Sequence, residues 1–385
     1  MGGDIDLSVM GGPDLAAART LQESLTAAGI RHEMVALGNG GLAKALAATR
    51  GRYVLSLEPR ADVAPQVVLE IWRAREQAEV VIASRLAGRP RDAPRSQRLL
   101  DRFLSRWLGL PVCDLSSPVR LYDGRLLRAQ PLAGDGPAQA SEILVRLYAE
   151  GWRVCEVGVE TGDTRRRSWR DVFAHVRSFP AQWRLRNSIE SADYDDRAYD
   201  SAIPLQRYWQ RTRFRHVVEL VGRRGPVLDV GCGSSRILSA LPAGSVGLDI
   251  LARKLRYARR FGRALVQASA ARLPFADGAF PCVVCSQVIE HVPREAPVLE
   301  ELCRVLAPGG RLVLGTPDYG RWRWRALEAI YNRVAPDAYG HEHVTRFTRR
   351  DVVDAMGARG LALEAERSIL KAELILAFRK PGAAS

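Results

Sequence analysis

The sequence has no apolar run of the length that a membrane-spanning helix needs, about 18 residues or more. Its first residues, Met1–Asp6, have no basic stretch followed by an apolar one, so we expect no secretory signal peptide. Internal repeats, low-complexity tracts and heptad patterns are also missing. These absences argue against membrane-spanning, secreted and fibrous classes, and we expect a globular protein of the cytoplasm.

Cysteine is scarce, and the six cysteines are scattered along the chain. Scattered cysteines fit a reducing compartment better than a disulfide framework. Cys282 and Cys285 form a Cys-x-x-Cys pair, but they lie in an apolar, strand-like run, and no second pair follows at zinc-site spacing. We therefore predict no metal or redox site at these cysteines.

Acidic residues are too few to balance the basic ones, which leaves a net charge of +14. Such a charge is compatible with nucleic acid, anionic lipid or a phosphorylated ligand. Only four of the 57 basic residues are lysines, which indicates an arginine-rich genome as much as selection for binding. Since no RNA-binding signature or basic-aromatic motif accompanies the charge, we expect no nucleic-acid partner, and an anionic substrate or surface stays open.

The length of 385 residues suits two domains of ordinary size. Strand-like and helix-like segments alternate on both sides of a polar boundary near residues 165–200. This order predicts two α/β domains, each with a mostly parallel sheet and flanking helices. We place them at residues 1–170 and 194–385, joined by a linker at residues 171–193.

The second half opens with an apolar strand at residues 227–230, which runs into a Gly-Cys-Gly turn at residues 231–233. Glycine at such a turn lets the backbone approach a ligand closely, because a Cβ atom would block the approach. Asp249 ends the next strand, twenty residues after Asp229. An acid there can accept hydrogen bonds from both hydroxyls of a ribose.

Two further motifs follow in order, Leu-Pro-Phe at residues 273–275 with a strand-like run to His291, and Leu-Ala-Pro-Gly-Gly at residues 306–310. Together the motifs resemble those of the class I methyltransferases, specifically the small-molecule branch, over about residues 194–380. The resemblance implies a Rossmann-like fold, S-adenosylmethionine as the cofactor and methyl transfer as the reaction. A dehydrogenase is the alternative, but Arg236 stands where its fingerprint needs a third glycine.

The resemblance also implies which residues bind the cofactor. Asp229 and the glycine turn are expected at its methionine end, Asp249 at the ribose, and Ser269 and Ala270 at the adenine. The family usually has an acid where Ser269 stands; a hydroxyl still accepts a hydrogen bond from an amine, so we expect weaker adenine recognition. The complete expected set is Asp229, Gly231, Cys232, Gly233, Asp249, Ile250, Ser269, Ala270 and Gln287.

Histidines are the candidate catalytic residues. Orientation supplies much of the acceleration of methyl transfer, and a general base is needed only when the attacking group carries a proton. The candidates are His291 in the Glu-His motif, and His341 and His343, which follow the fifth strand where the family builds its acceptor pocket. Packing is the alternative role for His291. The His-x-His pair has no third ligand of obvious spacing, so we predict no metal site.

Two segments are expected to shape the acceptor side of this site. Residues 194–213 resemble the N-terminal lid helix of the branch, with Tyr208 and Trp209 over the cofactor. An insert at residues 319–339 carries two tryptophans among arginines, which is typical of an amphipathic cover or of ordinary helix packing.

The first half carries a different set of fragments. They include the strand at residues 53–57, Ser-Arg at residues 84–85 and the segment DLSSPVRLY at residues 114–122. In this order they resemble inverting family-two glycosyltransferases of the dolichyl-phosphate mannosyltransferase type, over about residues 5–170. The resemblance implies a glycosyltransferase-A-like fold for this half.

The metal-binding motif of those enzymes is not kept here. The family has Asp-x-Asp after the third strand, because two carboxylates hold a divalent cation against the sugar diphosphate. This chain has Glu58-Pro59-Arg60 instead, and arginine cannot ligate a cation. We therefore predict a pseudo-glycosyltransferase domain that binds a glycan or a lipid-linked acceptor.

These observations predict a methyltransferase that uses S-adenosylmethionine on a small-molecule, glycan or lipid-linked acceptor. A bifunctional enzyme that also transfers sugar, and a scaffold that binds ligands without catalysis, are the alternatives. Four arginines at helical spacing form a basic stripe that can face phosphate, an anionic membrane or only solvent. The stripe is Arg95, Arg98, Arg102 and Arg106. The oligomeric state is not indicated.

Overall fold

The computed structural model divides into two compact units at the bond between Arg186 and Asn187. Each unit has its own sheet, so the α/β class predicted for the two halves is confirmed. Among the residues described, no helix combines the length and the apolar character that crossing a membrane requires. The described residues are 5–11, 15–37, 41–58, 63–87, 95–131, 138–159, 169–334 and 343–382.

The first unit has a six-stranded sheet in the order β2-β1-β3-β5-β4-β6. Strand β5 runs antiparallel to both of its neighbours, and all other neighbours are parallel, so the sheet is mixed. The strands are β1 (Leu7–Gly11), β2 (His32–Ala36), β3 (Tyr53–Leu57), β4 (Val80–Ser84), β5 (Val119–Asp123) and β6 (Val154–Gly158).

Apolar side chains leave the first sheet on both faces, as the alternation of a strand requires. Leu7 and Val9 join one buried cluster, and Met10 joins the other. Proline at the start of α3 costs no helical hydrogen bond, and Asp123 caps α5 by accepting from the amide of Arg125 at 2.9 Å. The helices are α1 (Leu15–Ala27), α2 (Gly41–Ala47), α3 (Pro65–Arg73), α4 (Arg95–Leu108), α5 (Gly124–Arg128), α6 (Gln139–Ala149) and α7 (Trp169–Asn187).

The segment predicted as a linker, residues 171–193, is helical up to Asn187 because it belongs to α7. The last turn of this helix is anchored in the first unit through Arg186. That side chain is fully buried, donates from Nε to the carbonyl oxygen of Leu108 at 2.8 Å, and lies over the ring of Tyr148. The change from one unit to the next therefore follows directly after a packed helix.

The second unit has a seven-stranded sheet in the order β12-β13-β11-β10-β7-β8-β9. The last two strands are antiparallel additions beside β11, and the other pairs are parallel. Phe280 pairs with Leu306 but Cys282 pairs with Arg311, so residues 307–310 loop out of the ladder. The strands are β7 (Val227–Val230), β8 (Val246–Asp249), β9 (Ala264–Gln267), β10 (Phe280–Ser286), β11 (Leu306–Pro317), β12 (Ala362–Ile369) and β13 (Glu373–Arg379).

Helices cover both faces of the second sheet and bury two apolar clusters. The helix that begins at Arg349 starts with a reciprocal capping box, in which Thr348 and Asp351 each bind the other's backbone amide. Because β7 is parallel to β8 and β10, the carboxyl ends of these three strands meet at one edge of the sheet. The helices are α8 (Tyr194–Tyr199), α9 (Pro204–Val221), α10 (Ile237–Ala240), α11 (Ala252–Ala258), α12 (Val298–Val305), α13 (Trp322–Val334) and α14 (Arg349–Gly357).

Candidate functional site

A cavity of about 700 Å³ lies at the edge of the second sheet where β7, β8 and β10 end. A ligand crevice at the carboxyl ends of parallel strands is the usual arrangement in open α/β sheets. His291 and His343 also line this cavity, whereas His341 lies outside the described residues. All the residues predicted to bind the cofactor line it: Asp229, Gly231, Cys232, Gly233, Asp249, Ile250, Ser269, Ala270 and Gln287.

The turn after β7 has glycine at the two positions where a side chain would not fit. Gly231 has φ +70°, and a Cβ atom there would lie 2.2 Å from Cγ2 of Val288. Gly233 has φ +53°, and its Cβ would lie 2.8 Å from Oδ2 of Asp195. Both the left-handed backbone and the close neighbours select glycine. The bare backbone of this turn therefore forms the floor of the cavity.

Two carboxylates face this turn. Asp249 accepts hydrogen bonds from the amides of Gly233 at 2.9 Å and Leu251 at 2.8 Å. Asp229 is buried, and its Oδ2 has no hydrogen-bond partner in the part of the chain that the structure describes. Burial and the charge of Asp249 raise the pKa of Asp229 to about 7, and burial raises the pKa of Asp249 as well. This buried acidic pair favours a ligand that brings hydrogen-bond donors or positive charge.

Helix α8 is held against the glycine turn by Asp195. Its Oδ2 accepts from Nζ of Lys254 at 2.9 Å and from both the hydroxyl and the amide of Ser234, at 3.0 and 3.2 Å. Burial raises the pKa of Asp195, but the charge of Lys254 and these hydrogen bonds outweigh it, so the pKa is lowered and the group is ionised. The segment predicted as a lid is thus bonded to the glycine turn.

Two tryptophans form an aromatic part of the wall. The rings of Trp209 and Trp324 are 6.3 Å apart between centroids, and both side chains are largely buried. Nε1 of Trp209 donates to the buried carboxylate of Glu373 at 2.5 Å, and Nε of Arg213 donates to the same carboxylate at 2.7 Å. The first strand residue of β13 therefore fixes the position of α9 over the cavity.

The two histidines of the cavity are in contact. His291 and His343 meet edge to face with ring centroids 5.0 Å apart, and Trp324 stacks on His343. Nδ1 of His343 lies 2.6 Å from the hydroxyl of Tyr319, which donates to Glu328 at 2.7 Å. Burial, with the nearby His291, lowers the pKa of His343 to about 4, so this imidazole is neutral at physiological pH.

The structure brings a third ligand-bearing side chain to this pair. Donor atoms of Glu290, His291 and His343 all lie within 4.8 Å of one another. The Glu-His motif contains two of the three, but the sequence offered no third ligand of suitable spacing for the histidines near residue 343. Sequence reasoning missed this grouping because Glu290 and His291 lie more than 50 residues before His343 in the sequence.

Of the other residues predicted for the cavity wall, some line the cavity and others do not. Trp209 and Trp324 line it, whereas Tyr208, expected over the cofactor, is half exposed and does not. Trp322 is exposed. The hydroxyl of Ser269 accepts from a backbone amide of its own turn, at Ala271. The wall also contains side chains that sequence reasoning did not single out: Glu190, Asp195, Arg213, Lys254 and Glu328.

The first unit has a buried polar network of its own. Arg85 forms a two-point ion pair with Asp114, at 2.9 and 2.7 Å. The same guanidinium contacts Ser116, whose hydroxyl donates to Asp101 at 2.5 Å. The predicted loss of the Asp-x-Asp motif concerns Pro59 and Arg60, which lie outside the described residues.

Comparison with known proteins identifies the second unit. A family model described as a methyltransferase domain matches residues 228–314. A 37.1 kDa protein of transposon TN4556 from Streptomyces fradiae is 35% identical over 150 residues, which cover 36% of this chain and 42% of the relative. The malonyl-[acyl-carrier protein] O-methyltransferase of Methylococcus capsulatus is 31% identical over 178 residues, which cover 42% and 61%.

A demethylmenaquinone methyltransferase of Renibacterium salmoninarum is 34% identical over 152 residues, which cover 34% of this chain and 62% of the relative. The chain thus spans between two fifths and about three fifths of the length of these three relatives. The second unit contains a methyltransferase domain, and its cofactor is S-adenosylmethionine. Both expectations from the sequence motifs are confirmed.

The acidic pair makes cofactor affinity depend on pH. Because the pKa of Asp229 is raised to about 7, this group is mostly protonated near pH 6 and mostly ionised near pH 8. The ionised form attracts the cationic cofactor. We expect the affinity for S-adenosylmethionine, measured by calorimetry, to increase about tenfold between about pH 6 and about pH 8. Asp229→Asn should flatten this profile.

Asp249→Ala should weaken cofactor binding at least about tenfold, since a buried hydrogen-bond acceptor is removed. Asp354→Asn is the matched control, because Asp354 is an exposed acid of α14 that pairs with Arg350 on the surface. An affinity for S-adenosylmethionine that is the same in Asp249→Ala and in the control would contradict the assignment.

Proposed function

We propose that the protein transfers a methyl group from S-adenosylmethionine to a small-molecule acceptor in the cavity of the second unit. The observation that carries this proposal is that the glycine turn, the buried carboxylate of Asp229 and the His291–His343 pair all line one cavity. Two relatives agree in kind, since one is a malonyl-[acyl-carrier protein] O-methyltransferase and the other a demethylmenaquinone methyltransferase.

The residues of the cavity suit this cofactor. Asp229 and the bare backbone at Gly231 and Gly233 receive its methionine part, and Asp249 receives the ribose. The adenine is placed beside Ser269 and Ile250. When bound, S-adenosylmethionine supplies an electrophilic methyl group on a positively charged sulfur. The chain contributes a buried negative site for that charge and walls that exclude water.

The acceptor is placed on the side of the cavity that the histidines and tryptophans line. Trp209 and Trp324 offer flat apolar surface to a ring or a chain, and His291 and His343 offer nitrogen atoms to a polar group. An acceptor with an apolar body and an oxygen at the reacting end fits these walls. A sugar hydroxyl, on a glycan or a lipid-linked acceptor, is the version that the first unit favours by its resemblance to a glycosyltransferase.

Methyl transfer is tested with radiolabelled S-adenosylmethionine and a panel of quinone, fatty acyl, glycan and polyprenyl-phosphate acceptors. We expect label in one acceptor class, and His291→Ala and His343→Ala should each reduce turnover about 100-fold, which is the lower end of the contribution of a general acid or base. Cofactor affinity should stay within about threefold of the native value, because Asp229 and Asp249 are intact.

His216→Ala serves as the control for a histidine substitution, because His216 lies on α9 and does not line the cavity. Its turnover should equal that of the native chain. Binding of S-adenosylmethionine without label in any acceptor class would favour a ligand-binding scaffold instead.

We further propose that the first unit is a pseudo-glycosyltransferase that binds the acceptor of the second unit. Its support is the departure from Asp-x-Asp at Glu58, Pro59 and Arg60. The buried Arg85–Asp114 pair, with Ser116 and Asp101, gives this unit a fixed polar interior. A bifunctional glycosyltransferase and methyltransferase is the alternative.

The pseudo-enzyme proposal is tested by incubating the full chain with Mn²⁺ and a panel of nucleotide sugars. We expect no release of nucleoside diphosphate above the level without protein, because the motif that holds the metal is absent. Release that depends on Mn²⁺ would establish the bifunctional alternative.

Helix α4 of the first unit has the composition of a helix that lies on a membrane surface. Its apolar residues Leu99, Phe103 and Trp107 recur every four positions and are 70%, 54% and 55% exposed, although Leu104 and Leu108 on the other side are buried. A second exposed apolar stripe is not needed for the core. The basic residues directly before each member of this stripe are Arg98, Arg102 and Arg106.

We propose that this face binds an anionic membrane, with the aromatic side chains at the headgroup level and the arginines against lipid phosphate. An exposed apolar stripe therefore lies beside the predicted basic stripe. The spacing of the arginines in the sequence did not predict it. Arg95 begins the helix, and its side chain is not among those described.

Membrane binding is measured by cosedimentation with vesicles of phosphatidylglycerol or of phosphatidylcholine. Exchange of all three arginines for alanine should weaken binding to the anionic vesicles about 100-fold, at about 1 kcal/mol for each charge. Phe103→Ser should weaken it further, and Phe173→Ser, which changes an exposed phenylalanine of α7, is the control. Equal binding to both kinds of vesicle would refute the anionic surface.

A further inference from the structure

Glu290, His291 and His343 form a group of potential metal ligands at the acceptor side of the cavity. Glu290 and His291 lie in one turn of 3-10 helix, Ile289–His291, directly after β10. His343 comes from the segment that precedes α14. One carboxylate oxygen and one nitrogen from each imidazole lie within 4.8 Å of one another.

The carboxylate of Glu290 is buried, and one of its oxygen atoms is available to a ligand. The side chain is fully buried, and its Oε2 accepts a long hydrogen bond, 3.2 Å, from the hydroxyl of Thr316. Oε1 has no hydrogen-bond partner among the residues that the structure describes. A buried carboxylate with an unpaired oxygen is costly unless a cation or a donor meets it.

His343 is prepared to act as a neutral nitrogen ligand. The hydroxyl of Tyr319 donates to Glu328 and therefore accepts from Nδ1 of His343, which places the imidazole proton on Nδ1. This assignment leaves the lone pair of Nε2 for another partner. Ligating histidines commonly have their second nitrogen held by such a polar group. Trp324 stacks on the ring and fixes its plane.

We propose that Glu290, His291 and His343 bind one divalent transition-metal ion of the zinc class. Two imidazoles and one carboxylate leave further coordination positions open, and His291 and His343 both face the cavity. Donors around a four-coordinate zinc ion are about 3.4 Å apart, given bonds of about 2.1 Å. Binding of the ion therefore requires these donors, which lie up to 4.8 Å apart, to move closer together.

The metal site adds to the proposed methyl transfer a way in which the acceptor is held. This role of the metal rests on the proposed function, whereas metal binding by itself does not. An ion at this position holds an acceptor through a hydroxyl, enolate or carboxylate oxygen and orients that oxygen in the cavity.

The experiment uses Co²⁺ as the probe, added to the full chain after removal of metal with a chelator. We expect one Co²⁺ for each chain, with the intense visible absorption of a four- or five-coordinate ion. His343→Ala and Glu290→Gln should each weaken Co²⁺ binding at least about 100-fold. Tyr319→Phe should weaken it about tenfold, because the residue orients His343 without touching the metal. His216→Ala should leave it unchanged.

Each result has a defined consequence. No visible band, or equal Co²⁺ affinity in the native chain and in folded Glu290→Gln, overturns the metal site. If Glu290→Gln does not fold, His343→Ala and Tyr319→Phe decide by the same comparison. Binding of S-adenosylmethionine to the metal-free chain is measured in parallel. Loss of the metal site with intact cofactor binding leaves the proposed function standing, and absence of cofactor binding removes that function alone.

Discussion

The contact between the backbone at Gly231 and the side chain of Val288 is the constraint on which the second unit depends. One residue follows β7 and the other follows β10, so their close packing brings the ends of two parallel strands together. Neither a Cβ atom nor a right-handed backbone would permit this approach. The bare turn, the acids behind it and the histidine wall all take their positions from this junction.

Charge is distributed around that junction in a consistent way. Oδ2 of Asp229 has no hydrogen-bond partner among the described residues, Asp249 is held by backbone amides, and Asp195 is paired with Lys254. Only the first has a pKa shifted to about 7, since burial acts there without a compensating cation. Asp229 thus lies without a cationic partner among the described residues where a cationic ligand is expected, whereas the charge of Asp195 is neutralised by Lys254.

Much of this unit could be predicted from local sequence. The glycine turn, the acid at the end of β8 and the strand order follow from spacing and periodicity, which report on neighbours along the chain. Contacts such as Asp195 with Ser234, and Tyr319 with His343, depend on how distant segments pack, and no local pattern encodes them. The sequence showed Glu290 only as part of the Glu-His motif. Its burial, which makes it a candidate metal ligand, is visible only in the structure. The exposed apolar stripe of α4 was hidden for the same reason, because periodicity does not tell which face of a helix is covered.

The bonding of α8 to the cofactor turn has a consequence for the rate of ligand exchange. Asp195 bridges the lid, the turn at Ser234 and Lys254 of α11 through one carboxylate oxygen. Opening the lid breaks this ion pair and its hydrogen bonds together, and the charges must be rehydrated as they separate. Movement of α8 away from the turn is therefore opposed by a single carboxylate. Catalytic turnover can be limited by the lid even where the chemistry itself is fast.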